Sequence, residues 1–444
     1  MRQMQILRIQ PLDPLMIRDG RPFDMTPGIK AYSLDDVSPS VLAGTICTLL
    51  GKYSRNSTSI INGNRNIYRQ LSSKDNNVIV RGPLYEKNRR VFYPVPQDVV
   101  FYNSAVGKGN EKLGVDIRRP VQLQEGEGFY GVGTNGLHEN LLWLPMSRHV
   151  HKESSNSPAY MSATLMYQWL QDTLSEADWS RELEQWSEGQ SSNSDLENSS
   201  HFIGKFPREE RVHTAIDHKS YTAQDQQLFS TESIILPDGM SMLAAVELST
   251  SKIDWPGELS LIHSLGGKRR LAHFSEVVDN HNDSSTPWKC PESILNVVGG
   301  RTYIRMVLAT PAYFAKGWLP GGFNEELVYE NAWGSGVNLK LLSACISKWQ
   351  PVSGWRYGQI METDTKGKSA DKSEQSGREK SIRRLVPAGS VYFFEIESGN
   401  AEDLVKKMWS VSVSDKNRRK AAFDDEDGFG LALWGVWDPN KMED

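Results

Sequence analysis

Apolar and polar residues alternate from the start of the chain. Met4, Ile6 and Leu7 run into Ile9 before Pro11 and Pro14, which predicts a strand ended by proline. After the polar stretch IRDGRPFDMTPG, Ser38 and Pro39 open VLAGTICTLL. Val41, Ile46, Leu49 and Leu50 fall at helical spacing there, and serine then proline is the chemistry of a helix start. Met161, Leu165, Met166, Trp169, Leu170 and Leu174 predict a second helix of about four turns after Ser157-Pro158. It runs into EQWSEGQSSNSDLENSSHF, a tract too polar to order itself, and residues 361–381 read the same way. RVHTAIDHKSYTAQDQQLFSTESIIL alternates on both sides of a polar centre and predicts a hairpin over about 211–236.

One pattern occurs twice. MLAAVEL (242–248) reads as a strand, Pro256 opens a short helix GELSLIHSL, and Gly266-Gly267 leads through Lys268, Arg269 and Arg270 into LAHF. VYFFEI (391–396) is again a strand. Asn400 caps a helix with the stripe Leu404, Val405, Met408 and Trp409, and Gly428-Phe429-Gly430 leads into LALWGVW. Strand, helix, glycine turn, strand is the second half of a βαββαβ unit. An α+β chain of two ferredoxin-like (RRM-like) domains side by side is expected, with loop and helical insertions. The first spans 1–285, with an inserted helical region at about 101–205 and the hairpin; the second spans 286–444. IRMVLATPAYF and NLKLLSACI supply strands for the second copy, with no convincing helix between them.

A chain of 444 residues can bury large cores without staples. Cys47, Cys290 and Cys345 are too scattered for a disulfide framework or a zinc site, which fits a reducing cytoplasm. The opening MRQMQILRIQ has no signal-peptide core, and no stretch approaches the apolar length of a membrane span. The net charge of −5 argues against a protein that coats nucleic acid over its whole surface, but leaves room for a local basic groove.

Metal chemistry has little to stand on. His149 and His151 lack completing ligands, and Asp424 to Gly428 lacks the alternation and distal glutamate of a calcium loop. No P-loop and no nucleophile elbow occur, so neither a cofactor nor a catalytic set is expected. The two glycine turns are different. Glycine lets backbone approach a phosphate, and three cations follow the first turn directly. Each turn also reads as a plain tight connection. Arg18, Arg21 and Phe23, then Lys316, Trp318 and Arg356, interleave cations with aromatics, as suits single-stranded nucleic acid.

These segments resemble the RAMP superfamily, specifically the subunit of type III-B CRISPR (Cmr) complexes that caps the 5′ end of the guide RNA. The resemblance is carried by PLDPLMIRDGRPF, SPSVLAGTI, RVHTAIDHKSYTAQDQQLFSTE, LGGKRRLAHF, ATPAYFAKGWLP and GFGLALWGVW. It implies two ferredoxin-like folds, a grip on the 5′ tag of the crRNA, and no catalytic role. It also implies contact with the large polymerase-like subunit and with the backbone RAMP subunit, and through them with target RNA, in antiviral defence. Tag contacts would come from Arg18, Asp19, Gly20 and Arg21, from Gly266, Gly267, Lys268, Arg269 and Arg270, from Lys316 and Trp318, and from Gly428, Phe429 and Gly430. The hairpin tip, with His218, Lys219, Tyr221 and Thr222, would be a thumb that pries one nucleotide from the stack. The alternative is a RAMP endoribonuclease that processes precursor crRNA. It would be expected to carry a histidine in the first helix, where SVLAGTICTLLGKY has none.

Overall fold

The computed structural model describes residues 4–19, 28–53, 78–105, 111–122, 142–148, 151–191, 200–217, 219–248, 255, 257–277, 286–352, 355–356, 378–379, 382–415 and 427–441. It is an α+β structure of mostly antiparallel sheets with few helices. The first strand runs Met4–Pro11 with Leu7 and Ile9 fully buried, and the first helix runs Pro39–Tyr53.

Eight strands form the larger sheet in the order Phe202–Ile203, Tyr160–Ser162, Arg90–Pro94, Val78–Lys87, Met240–Leu248, Met4–Pro11, Leu271–Glu276, Ser260–Ser264. Of the four central strands, the third in the chain, Met240–Leu248, therefore lies between the first and the second, and the fourth, Leu271–Glu276, lies on the first strand's other side. The six-stranded sheet repeats that order at its centre with Asn338–Cys345, Val391–Ser398, Tyr303–Leu308 and Leu431–Val436. Its helix, Ala401–Met408, is capped by Asn400, whose side chain accepts from the Glu402 N–H at 3.0 Å, and it buries Leu404, Val405 and Met408. The connection 309–327 is built of turns and isolated bridges, with no helix among its residues.

Two expectations are corrected. The segment after Pro256 is a strand, Ser260–Ser264, that pairs with Leu271–Glu276. Its signal was period two: Leu259, His263 and Leu265 are buried with Leu261 between them, and that burial outweighs a proline at a helix start. The long helix is in fact a strand and two helices. Tyr160–Ser162 precedes Ala163–Leu170, and Asp172 at φ 58° breaks the chain before Glu176–Ser191. This last helix orders part of the tract read as too polar. Ser175 and Asp178 cap it reciprocally, and Trp179, Leu183 and Trp186 bury one stripe. The region 101–205 also holds strand pairs, Val99–Ala105 with Glu111–Ile117 and Arg119–Val121 with Leu144–Met146. Residues 192–199 and all of 361–381 except 378–379 lie outside the described residues.

One face of the larger sheet packs on the first helix in a core of its own, with Leu7, Ile9, Leu42, Ile46, Met242 and Phe274. Ile6, Leu84, Leu243 and Ala245, from the opposite face, join a core that runs on through the six-stranded sheet. At Gly435 a Cβ would stand 2.2 Å from the Leu170 carbonyl oxygen, so strand backbone meets helix end with no side chain between. Beside this contact the fully buried Arg305 guanidinium lies 3.6 Å over the Trp169 ring and 3.8 Å from both Asp98 and Asp172. Burial, partly offset by Arg305, pushes the Asp98 carboxyl up to about 7, and burial draws Arg305 down to about 10. Among the described residues, no helix is long and apolar enough to cross a membrane.

Candidate nucleic-acid interface

After Pro11 the chain is tied to the foot of the long hairpin, Arg208–Ile216 with Ala223–Ile234. Leu15 and Ile234 exchange backbone hydrogen bonds at 2.8 Å in both directions. The Ser33 hydroxyl accepts from the Ile17 N–H at 3.0 Å, and Lys30–Ala31 adds a parallel strand to Ser230–Thr231. The first glycine turn closes the arrangement. Gly267 N–H donates to the Met16 carbonyl at 2.7 Å, and Gly266 sits at φ 76°, where a Cβ would come within 2.7 Å of that same oxygen. Glycine is required here because the turn docks on Met16. The space left open is a cavity of about 210 Å³ lined by Met16, Arg18, Ala31, Thr231, Gly267 and Lys268.

Lys268 and Arg269 both adopt left-handed backbone, with φ 54° and 53°. The Lys268 ammonium lies 5.2 Å over the Phe229 ring and 3.1 Å from His213 Nε2, which is also 2.9 Å from the Thr231 hydroxyl. The His213 ring stacks on Phe229 at 5.1 Å. An ammonium has only donors, so Nε2 must offer its lone pair, and His213 is held neutral with its proton on Nδ1. Burial, then the nearby Lys268, Arg270 and Arg211, lower the affinity of His213 for a proton. Burial and then Arg270 lower that of Lys268. Lys30 is matched by Glu210 at 2.7 Å and Glu232 at 3.2 Å, and Arg208 by Asp35 and Glu232. Lys268 has no such carboxylate among the described residues, so its charge is open to an anion.

The structure thus brings Arg18, Gly266, Gly267 and Lys268 to one place, with Asp19 next along the chain and Arg269 and Arg270 on the same turn. Gly20 and Arg21 lie outside the described residues. Lys316, Trp318 and Gly428 to Gly430 do not line the cavity. Asp415 organises the Lys316 loop by accepting from the Ala315 and Gly321 N–H groups at 2.7 and 2.9 Å. Lys316 donates to the Phe323 carbonyl, and the Trp318 carbonyl accepts from the Tyr392 hydroxyl at 2.6 Å. Phe429 is 2% exposed and packs as a core side chain. A Cβ on Gly428 would meet the Gly82 carbonyl at 2.4 Å, so the second glycine turn is pressed against strand Val78–Lys87 on that side.

At the hairpin tip the Asp217 carboxylate accepts from the Lys219 and Ser220 N–H groups at 2.7 and 3.0 Å. These bonds fix a turn that carries Lys219, Tyr221 and Thr222 at the surface, with Tyr221 83% exposed; His218 lies outside the described residues. His213, Phe229 and Thr231 are the site residues that sequence reasoning passed over. Their signal was the hairpin register, which pairs His213 with Phe229 across the strands. Among the described residues no group of three or more His, Cys, Asp or Glu side chains is placed to hold a metal ion.

A family model described as CRISPR-associated protein (Cas_Cmr3) matches residues 7–437. No curated protein matches the chain by sequence. Among solved structures, a chain of the type III-B Cmr-beta complex bound to cognate target RNA and AMPPnP is similar at 14% identity, covering 88% of this chain and 86% of that one, with a TM-score of 0.39. A chain of the Csm3-Csm4 subcomplex of the type III-A CRISPR-Cas interference complex is similar at 10% identity, with 89% and 94% covered and a TM-score of 0.34.

Proposed function

The chain belongs to the Cas_Cmr3 family of CRISPR-associated proteins, and from that premise we propose that it is the non-catalytic subunit that grips the 5′ tag of the crRNA in a type III-B effector complex. On this reading it bridges the large polymerase-like subunit to the backbone RAMP filament, and reaches target RNA only through them. The repeated central strand order supports two ferredoxin-like domains, 1–285 and 286–444.

The observation that carries the reading is the cavity at the hairpin foot. There Arg18 and the uncompensated Lys268 flank a glycine turn, beside the His213–Phe229 stack. Cations beside an aromatic stack match the phosphates and bases of an unpaired strand. The neighbouring hairpin, with Tyr221 at its tip, is the thumb of this proposal. The endoribonuclease alternative would find at this cavity a histidine and a lysine 3.1 Å apart, His213 and Lys268. One experiment covers both readings: labelled repeat RNA is incubated with excess purified chain, and binding and length are followed together. Tight binding of the tag-bearing end with no cut product is expected. A product that disappears in His213→Ala would replace this reading by the nuclease one. Binding indifferent to Lys268→Glu would remove the cavity from the account.

A further inference from the structure

Between the strands Asn338–Cys345 and Val391–Ser398 the chain leaves the six-stranded sheet through a stem. Gln350–Val352 pairs with Arg383–Leu385, and Trp355–Arg356 pairs with Arg378–Glu379. The root of this stem is held firmly. Leu385 and Val386 are buried, Val386 and Ala312 exchange backbone hydrogen bonds at 2.8 and 2.9 Å, and the Gly389 carbonyl accepts from Gln97 N–H at 2.8 Å. On this fixed root Trp349 is 44% exposed and Ile382 61% exposed, and the Arg384 guanidinium lies 4.9 Å over the Trp349 ring.

The two segments that carry Trp349 and Arg384 hold charge of one sign. Segments 346–352 and 382–387 contain Lys348, Arg383 and Arg384 and no carboxylate, in a chain whose net charge is −5. Neither Lys348 nor Arg384 makes an ion pair among the described residues, and both are exposed. An indole kept open to water forgoes the gain of burial, and an exposed cation–π contact returns only part of it. The surface is therefore suited to a ligand that brings a flat apolar face and negative charge together.

We propose that this stem is a second contact for single-stranded RNA, separate from the cavity, in which Trp349 stacks a base while Lys348 and Arg384 take the flanking phosphates. Unmatched Lys348, just before one strand of the stem, and unmatched Arg384, on the other, favour a polyanion over a protein surface, which would be expected to bring a carboxylate to only one of them. The contact needs no particular base, because every base has a stackable face.

The test uses the full chain and a labelled oligouridine that lacks any tag sequence, with binding followed by anisotropy across a salt series. Lys348→Glu with Arg384→Glu is expected to weaken binding at least tenfold and to flatten the slope of log K against log salt by about 1.4, because two phosphates are no longer neutralised. Trp349→Ala is expected to weaken it about 5- to 100-fold, and Trp349→Phe, which keeps a stacking ring, to restore most of that. Unchanged affinity and slope in variants with a native circular dichroism spectrum would overturn the proposal. So would variants that bind oligouridine normally but no longer co-purify with the other effector subunits, since the stem would then be a protein contact. Lys268→Glu serves as the control on the cavity: loss of tag binding there with oligouridine binding intact separates the two sites.

Discussion

Lys268 Nζ and His213 Nε2 stand 3.1 Å apart, and with the approach of Lys268 to the Phe229 ring this contact ties the glycine turn to the long hairpin. It fixes three things together. The lysine is steered to the rim of the cavity, the imidazole is kept neutral, and the hairpin foot is latched to the eight-stranded sheet. Because the acceptor is a neutral ring rather than a carboxylate, the positive charge of Lys268 is aimed without being cancelled.

Charge reversal in the turn should act on RNA and leave the fold alone. Lys268, Arg269 and Arg270 changed together to Glu are expected to weaken guide loading by on the order of 100-fold, with a shallower salt dependence. Competition binding at two salt concentrations checks this, and equal loading by the triple variant would move the RNA site elsewhere.

The latch is expected to respond to acid. His213 binds a proton less readily in the folded protein than when unfolded, so protonation favours the unfolded or unlatched form. Stability from this residue is complete above the ordinary histidine range near pH 6.5 and is lost as pH falls through the lower folded value. RNA affinity should move oppositely over the same interval, since an imidazolium adds a cation beside the phosphate site. Melting and RNA binding at pH 7.5 and 5.5 read the two effects. His213→Gln should remove this residue's share of each trend, measured as the difference from the parent profile; a variant whose two profiles match the parent's would exonerate the histidine.

Asp98 gives the opposite sign. Its carboxyl is raised to about 7, so the folded state favours the protonated form. Its contribution is most favourable at low pH and is lost as pH rises from about 4 to about 7. Asp98→Asn is expected to raise stability at pH 8 by on the order of 2 kcal/mol and to change it little at pH 4, with Asp172 still beside Arg305. Urea denaturation at both pH values checks this, and an asparagine variant less stable at pH 8 would show that the Asp98–Arg305 attraction dominates.

The second glycine turn should report on stability. Phe429→Ala is expected to cost about 3–4 kcal/mol, as for a buried phenylalanine. Gly428→Ala should cost at least about 1 kcal/mol, because φ is 87° and the added carbon meets the Gly82 carbonyl. Folded material of both variants should load guide RNA normally; a loading defect at an unchanged urea midpoint would return this turn to the RNA site.

The elements legible in the sequence were those in which several local signals agree. In Met4–Pro11, Pro39–Tyr53 and Ala401–Met408, periodicity and end chemistry point the same way. Ser260–Ser264 was misread because a proline was weighed above the alternation of Leu259, Leu261, His263 and Leu265. Glu176–Ser191 was misread because average polarity hid three buried residues, two of them tryptophans, on one face. Arg18 and Lys268 could be picked out as cations beside glycine or loop chemistry. Their meeting with His213, Phe229 and Thr231 could not, because the hairpin register and its docking on Met16 bring together residues up to about 250 positions apart.

The bare approach of Gly435 to the Leu170 carbonyl bears on how such a chain can be inherited. A chain cut between the two sheets would leave each piece with a greasy wall meant for the other, because one core runs through both. Added length is then best tolerated in excursions such as the stem after Trp349, which begin and end on the rim.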